Sequence, residues 1–506
     1  MSDETFQQLK KRIQQVNDLN GAAGLLGWDQ RTYMPPKGAG ARAERMSTLA
    51  ELSHEIFTSD ETGALLDQLA DYAKAQPADS DEAALWRIVR RDYDKEKIIP
   101  AGLSADLQRA SILGYQAWAE ARPASDFARF LPALERNIEL NKQVIQIQRE
   151  ANPDIADDYD VLLDDYEPGL TTAEVTRVFD RLKEATVPLL RQVVANADKV
   201  SDALVHGSFP VAQQDALVRD MVKQLGYNDD SWRLDVTEHP FASPMAIEDI
   251  RLTTKFEEDF LNPALFGTMH EFGHGLYERN VSPSLERTPL ARGASMAWHE
   301  SQSRMWENLV GRGRPFWEYG LPKLQAAFPG TFDDVTADDI YQAVNRFGPS
   351  FIRIEADELT YNLHIIIRFE LERDLFSGAV QAKDLPEAWN AKVRQYLGVD
   401  VPNDANGALQ DVHWGTGSFG YFPTYALGNV VAAQLWERIL ADIPDLESDF
   451  ERGEFGRLRA WLAENVHRHG RKYMPMDLMD KVLGVRELNP EPLIRYLTAK
   501  VDSLYG

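Results

Sequence analysis

The sequence predicts a mainly α-helical protein, built as one large domain with a small antiparallel β-sheet. Three observations carry this. Apolar residues recur at helical spacing over most of the chain, and the only convincing strand patterns lie together between Ser231 and Phe256. No Gly/Ser linker, low-complexity tract or fixed-period repeat offers a place to cut the 506 residues into domains.

From the start to about residue 150, polar and apolar residues interleave with Pro/Gly breaks at Met34–Gly40, Gln76–Pro77 and Pro100–Gly102, so a layer of long helices is expected. In GLLGWDQRTYMPP, Gly24–Pro36, Trp28 and Tyr33 stand beside an abrupt turn and read as packing residues. After the acidic run Asp154–Glu167, Thr171 or Thr172 can cap a helix running to about Ala197, and more helix follows to Leu225. Ser231–Phe241 and Ile247–Phe256 then read as two strands joined by the turn-like ASPMA. Helical period resumes from Phe351 to Phe376, and Leu409–Asn429 reads as a loop rich in Gly and aromatics.

Between the strands and that later helix lies NPALFGTMHEFGHGLYERN, Asn262–Asn280. Asn262 can cap its first turn and Pro263 suits the first helical position, while Leu265, Met269, Phe272 and Leu276 follow the helical period. Residues four apart on a helix lie one turn above each other, so His270 and His274 present two imidazoles to one point, a divalent-metal grip. Glu271, next round the helix, is turned away from the metal but close enough to act as a general base on water. Gly273 and Gly275 each cost about 1 kcal/mol against Ala in a helix, which points to close approach by neighbouring backbone. The strand pair just upstream is then placed for its edge to lie along a cleft and pair with an extended peptide.

A catalytic metal site of this kind needs a third protein ligand. The next helical stretch, ARGASMAWHESQSRMWENLVGRG, is marked by Met296, Met305, Trp306, Leu309 and Val310 and can end at Gly311. Glu300 is the candidate ligand. His299 points about 100° away round the helix and suits orienting a ligand from behind. Read alone, Glu300 would simply pair with Arg304 at i,i+4.

Composition narrows the chemistry. The chain has no cysteine, which excludes disulfides and thiolate ligands, leaves His and carboxylate to bind metal, and favours a cytoplasmic location. No apolar run approaches the ~20 residues of a membrane span, and the polar start MSDETFQQLKKR has no signal-peptide core, so no membrane partner is expected. With 54 Lys+Arg against 80 Asp+Glu, a formal charge of −26, nucleic acid is an unsuitable partner.

Further candidates lie downstream. Arg353, Glu355 and Asp357 are charges among apolar neighbours, and such groups are seldom fully buried without partners. Asp357 reads either as half of a structural ion pair or as a support behind the site. In the Gly/aromatic loop, His413, Tyr421 and Tyr425 are candidates for contacting a reacting carbonyl.

An ordered series of motifs then resembles the carboxypeptidase Taq family of metallocarboxypeptidases along essentially the whole length. It comprises WDQRTYMP at Trp28, HPF at His239, DIRLTTKF at Asp249, HEFGH at His270, HESQSR at His299, IRIEADELTY at Ile352, and QDVHW followed by GYFPTY from Gln410 to Tyr425. The resemblance implies a mostly helical fold with a long substrate groove, about residues 1–150 forming a helical layer over it and about 230–430 the active-site region, with the small sheet beside the metal helix. It implies a homodimer, zinc at His270, His274 and Glu300 with cobalt an effective substitute, and removal of C-terminal residues from peptides with broad specificity. Arg353 is then expected to hold the substrate's terminal carboxylate, with Tyr421 a further substrate contact, and His413 and Tyr425 are expected to stabilise the oxyanion. Glu271 would take a proton from the attacking water and pass it to the leaving amine. The alternative within enzymes is an oligoendopeptidase or dipeptidyl carboxypeptidase sharing the metal site. A helical binding protein without turnover is the alternative outside them, and Glu271 argues against it.

Overall fold

The helical period of the sequence is realised almost throughout: the computed structural model, which describes residues 2–506, is 69% helical with a small three-stranded sheet. Local signals explain the boundaries. The Thr171 side chain accepts a hydrogen bond from the Glu174 amide and opens helix Thr172–Ala195, whose Val175, Phe179, Leu182 and Val193 face is buried. No helix among the described residues is long and apolar enough to cross a membrane.

Packing divides the chain into two compact units, each assembled from three stretches. The first comprises residues 1–97, 202–344 and 435–486. Its opening helices, Ser2–Thr32 and Ala39–Thr58, pack as a hairpin after a turn at Pro35 and Pro36, and Phe6, Leu9 and Ile13 join Leu66, Leu85 and Ile88 in a buried cluster. The second comprises residues 98–201, 345–434 and 487–506. There, helix Tyr361–Ser377 is buried nearly all round, and its Phe369 makes edge-on contacts with Tyr159 and Phe179. The boundary after Gln434 falls inside the continuous helix Pro423–Asp442, so linker composition could not mark it.

The sheet differs from the expected antiparallel pair. Its strands are β1 (Trp232–Val236), β2 (Ala242–Ala246) and β3 (Asp249–Thr254), in the order β1-β3-β2. β1 and β3 run parallel with Trp232 opposite Ile250, while β2 is antiparallel to β3 with Ala242 opposite Leu252. The segment ASPMA, expected to be the turn, is itself β2, so the chain reverses twice and its two strongest strand patterns end up parallel. β2 tolerates Pro244 because it is an edge strand, and the ladder shifts register just after that residue.

The helical run expected over Phe351–Phe376 is also shorter. Arg353–Glu355 form a single 3-10 turn, and the α-helix starts only at Tyr361. Asp357 accounts for the break: its carboxylate accepts hydrogen bonds from the Gly348, Leu359 and Thr360 amides, holding the chain in a capping turn.

Candidate metal centre

The HEFGH helix spans Asn262–Arg279, and the HESQ helix spans Met296–Arg304. Leu261 takes the cap position of the first, so Asn262 is its first helical residue rather than its cap. The second is capped by the Ser295 side chain, which accepts from the Trp298 amide. The two glycines of HEFGHG explain how the elements approach each other. A Cβ on Gly273 would lie 2.5 Å from the Gln302 carbonyl oxygen, so the HESQ backbone crosses there. One on Gly275 would lie 2.6 Å from the Trp232 ring and 2.8 Å from Ile250, so the sheet packs on the other side. Thr254 of β3 bonds Thr268 of the helix, Oγ1 to Oγ1, at 2.7 Å.

This crossing brings three donors together. The His270 and His274 Nε2 atoms lie 3.6 and 3.3 Å from Glu300 Oε2, and all three donor atoms are within 4.8 Å of one another. Bonds of ~2.1 Å around a tetrahedral ion separate its donors by roughly 3.4 Å, so the spacing and the His/carboxylate donor set both fit a zinc-like divalent ion.

Charge prepares the donors. Burial alone would raise the Glu300 carboxyl, but Arg304, then His270 and His274, outweigh it and hold it well below the usual range. The Arg304 pairing read from the sequence is real and compatible with metal binding: its Nε holds Glu300 Oε1 at 2.6 Å, while Oε2 faces the histidines and accepts from the Ser303 hydroxyl at 3.1 Å. Burial lowers His274 to about 3, the neutral form a metal needs. Burial pushes Glu271 up to about 7, and among the described residues its carboxylate has no hydrogen-bond partner.

Behind these three residues stand His299, expected there from the sequence, and two groups that sequence reasoning passed over, Glu307 and Glu278. Glu307 Oε2 meets His270 Nδ1 at 2.9 Å and is also reached by Arg304 Nη1 at 3.2 Å. It lies on Met305–Gly311, a stretch of π-helix continuing the HESQ helix, so the wider turn aims it at the site. Behind His274, His299 Nδ1 lies 2.5 Å from His274 Nδ1, and His299 Nε2 lies 2.7 Å from Glu278 Oε1. Glu278 follows His274 by one helical turn, a spacing visible in the sequence, whereas Glu307 needed the π-helix to be seen. Glu300→Ala is expected to lose metal affinity by more than His299→Ala, whose cost should be roughly 10–100-fold. Parallel metal titrations test this, and the reverse order would make His299 the ligand.

The remaining candidates gather in the second unit. Arg353 is buried, with Nη2 and Nε on Asp411 Oδ1 at 2.8 and 3.0 Å and Nη1 on the Tyr361 hydroxyl at 3.0 Å. Arg368 shares the same carboxylate through Oδ2, so two guanidiniums face one anion and the cluster keeps a net positive charge. Asp411, Arg368 and Tyr361 were not singled out from sequence, although Asp411 lies within the QDVHW motif and Tyr361 ends IRIEADELTY. His413 Nε2 lies 3.4 Å from the Tyr425 hydroxyl, and its Nδ1 is 4.0 Å from Asp411 Oδ1. Burial lowers His413 to about 4 despite Asp411, so its ring is neutral. Tyr421 packs edge-on to Tyr425 and against the His413 ring, and Tyr425 belongs to the first turn of helix Pro423–Asp442 rather than to the loop. Asp357 is buried on the backbone amides described above; burial raises it to about 6.

The His413 loop is held by Glu372, a fully buried carboxylate that accepts from Tyr159 Oη at 2.6 Å, Trp414 Nε1 at 2.7 Å and the Gly420 amide at 2.8 Å. Glu372→Ala would leave three buried donors without an acceptor, at about 1–3 kcal/mol each. A loss of about 3 kcal/mol or more is expected in urea unfolding; a change below about 1 kcal/mol would show that the loop is held otherwise.

Comparison with known proteins places this architecture. The carboxypeptidase Taq (M32) metallopeptidase family matches residues 8–501. Carboxypeptidase 1 of Bacillus subtilis is 42% identical over 99% of this chain and 98% of that protein. Thermostable carboxypeptidase 1 of Thermus thermophilus is 38% identical over 100% of this chain and 99% of that protein. The crystal structure of an M32 carboxypeptidase from Deinococcus radiodurans R1 superposes with a TM-score of 0.95 at 40% identity, covering 99% of this chain and 100% of that one. With two histidines and a glutamate at metal-binding separation and family likeness along nearly its full length, the chain belongs to the carboxypeptidase Taq (M32) family of metallopeptidases and is a peptide hydrolase of the carboxypeptidase class.

Proposed function

We propose that this protein releases amino acids one at a time from the free C-termini of peptides, with broad specificity, using zinc held by His270, His274 and Glu300 and accepting cobalt in its place. The observation that carries this reading is the donor geometry: two Nε2 atoms 3.3 and 3.6 Å from one Glu300 oxygen, in a carboxypeptidase-family chain. When bound, the ion supplies Lewis acidity toward water and the scissile carbonyl. Glu271 takes the proton of the attacking water and returns it to the leaving amine, a role for which a carboxyl near neutrality is suited.

The second unit supplies substrate recognition and oxyanion stabilisation in this reading. Neutral His413 and the Tyr425 hydroxyl donate hydrogen bonds to the developing oxyanion. Arg353 holds the terminal carboxylate, supported by the surplus positive charge it and Arg368 keep against Asp411. Tyr421 contacts the substrate beside them, Asp357 fixes the turn that follows Arg353, and an edge strand of the sheet pairs with the peptide backbone. The family match runs through both units, which supports treating residues 1–506 as one catalytic domain. We further read the protein as a cytoplasmic homodimer, in keeping with the family resemblance and the absence of cysteine.

The test is release of free amino acids from an unbiased peptide mixture by metal-free and metal-reconstituted protein. Release that appears only on adding Zn2+ or Co2+ supports the reading. No release with either metal bound would make this a binding protein.

A further inference from the structure

We propose that Glu278 is a positioning residue for the metal site, which sets the protonation pattern of ligand His274 through His299; this rests on the proposed reading of His274 as a ligand. With His274 as a metal ligand and both rings neutral, the chain of contacts admits one arrangement of protons. His274 turns Nε2 toward Glu300, so that nitrogen must offer its lone pair to the ion and Nδ1 must carry the proton. That Nδ1 lies 2.5 Å from His299 Nδ1, which must therefore accept, leaving the His299 proton on Nε2. His299 Nε2 in turn lies 2.7 Å from Glu278 Oε1, a carboxylate oxygen that accepts without ambiguity.

Glu278 is thus the only member of the relay whose hydrogen-bonding sense is fixed by its own chemistry. It is 6% exposed, sits one helical turn beyond His274, and is also held by the Gly293 amide at 3.3 Å. Were the acceptor lost, His299 could carry its proton on Nδ1. Two N–H groups would then face each other, and the contact would either open or drive the His274 proton to Nε2, where it blocks the ligand position. His270 does not share this dependence, because Glu307 accepts from its Nδ1 directly. The two histidine ligands are therefore supported differently, and Glu278 governs only one of them.

The experiment compares Glu278→Leu, Glu278→Gln, His299→Gln and the Glu278→Leu/His299→Gln double variant, measuring the Zn2+ dissociation constant by chelator competition and the Co2+ absorption spectrum, with unfolding of the metal-free proteins alongside. His299 Nε2 and the Gly293 amide meet the same Glu278 oxygen, Oε1, so the amide oxygen of Glu278→Gln can keep both contacts and Zn2+ affinity should stay near the wild-type level. Glu278→Leu has no acceptor, so its Zn2+ affinity should fall by roughly 10–100-fold and the Co2+ bands shift. His299→Gln can set its side-chain oxygen toward His274 Nδ1, so in that background Glu278→Leu should cost no further affinity. Wild-type affinity in Glu278→Leu, or full additivity in the double variant, would overturn the proposal. So would a loss confined to metal-free stability, which would leave Glu278 a purely structural residue. Failure of the underlying reading looks different: His274→Ala, as the control, would then keep tight Zn2+ binding.

Discussion

Glu271→Gln is expected to keep the fold and the metal while losing turnover by about 10²–10⁴-fold, the usual loss when a general base is removed. The substitution is nearly isosteric and leaves His270, His274 and Glu300 untouched. It should not weaken folding, because Glu271 is a buried carboxyl with no hydrogen-bond partner among the described residues and is already pushed up to about 7 by burial. That value also gives the sign of the pH dependence. Below about 7 the metal-free carboxyl is protonated and cannot accept the water's proton, so wild-type activity should fall on the acid side; positive charge bound beside it moves that limb to lower pH. The measurement is kcat at matched metal content, and a variant retaining more than half of wild-type kcat would remove Glu271 from the mechanism.

Arg353→Ala and amidation of a peptide's C-terminus should each reduce kcat/KM by roughly 10–150-fold, because a hydrogen bond to a charged group is worth about 1.5–3 kcal/mol. Their effects should not add, since both remove the same contact between guanidinium and carboxylate. The structure makes the variant a usable one. Arg353 shares Asp411 with Arg368, so removing it leaves Asp411 paired rather than stranding a buried charge. Kinetics on free-acid and amidated forms of one peptide, with wild type and Arg353→Ala, check this. A free-acid preference that survives intact in the variant would move carboxylate recognition to another cation.

What could be read from sequence follows from how local each feature is. His270 and His274 were legible as a pair because helical geometry alone puts residues four apart on a shared face. The closeness of neighbouring elements at Gly273 and Gly275 was legible because helical glycine is costly without a packing reason. The pairing of β1 with β3 was not, because strand direction depends on whether ASPMA turns or extends, and an edge position let its proline into the ladder. Glu307 was hidden by the π-helix that rotates it toward His270, and Asp411 by a loop whose path no periodicity describes. At Arg353 the apolar pattern continued through a 3-10 turn, so the helix was drawn too long; the Asp357 capping contacts that stop it are tertiary as well as local.

The most direct test of the account is time-resolved mass spectrometry of one defined peptide incubated with metal-loaded protein. A metal-dependent carboxypeptidase gives a ladder that shortens by single residues from the C-terminus, an intact N-terminus throughout, and no ladder when the metal is removed. Internal fragments, two-residue steps, or an amidated peptide cut as readily as the free acid would contradict the account and assign the His270, His274 and Glu300 site to an endopeptidase or a dipeptidyl carboxypeptidase.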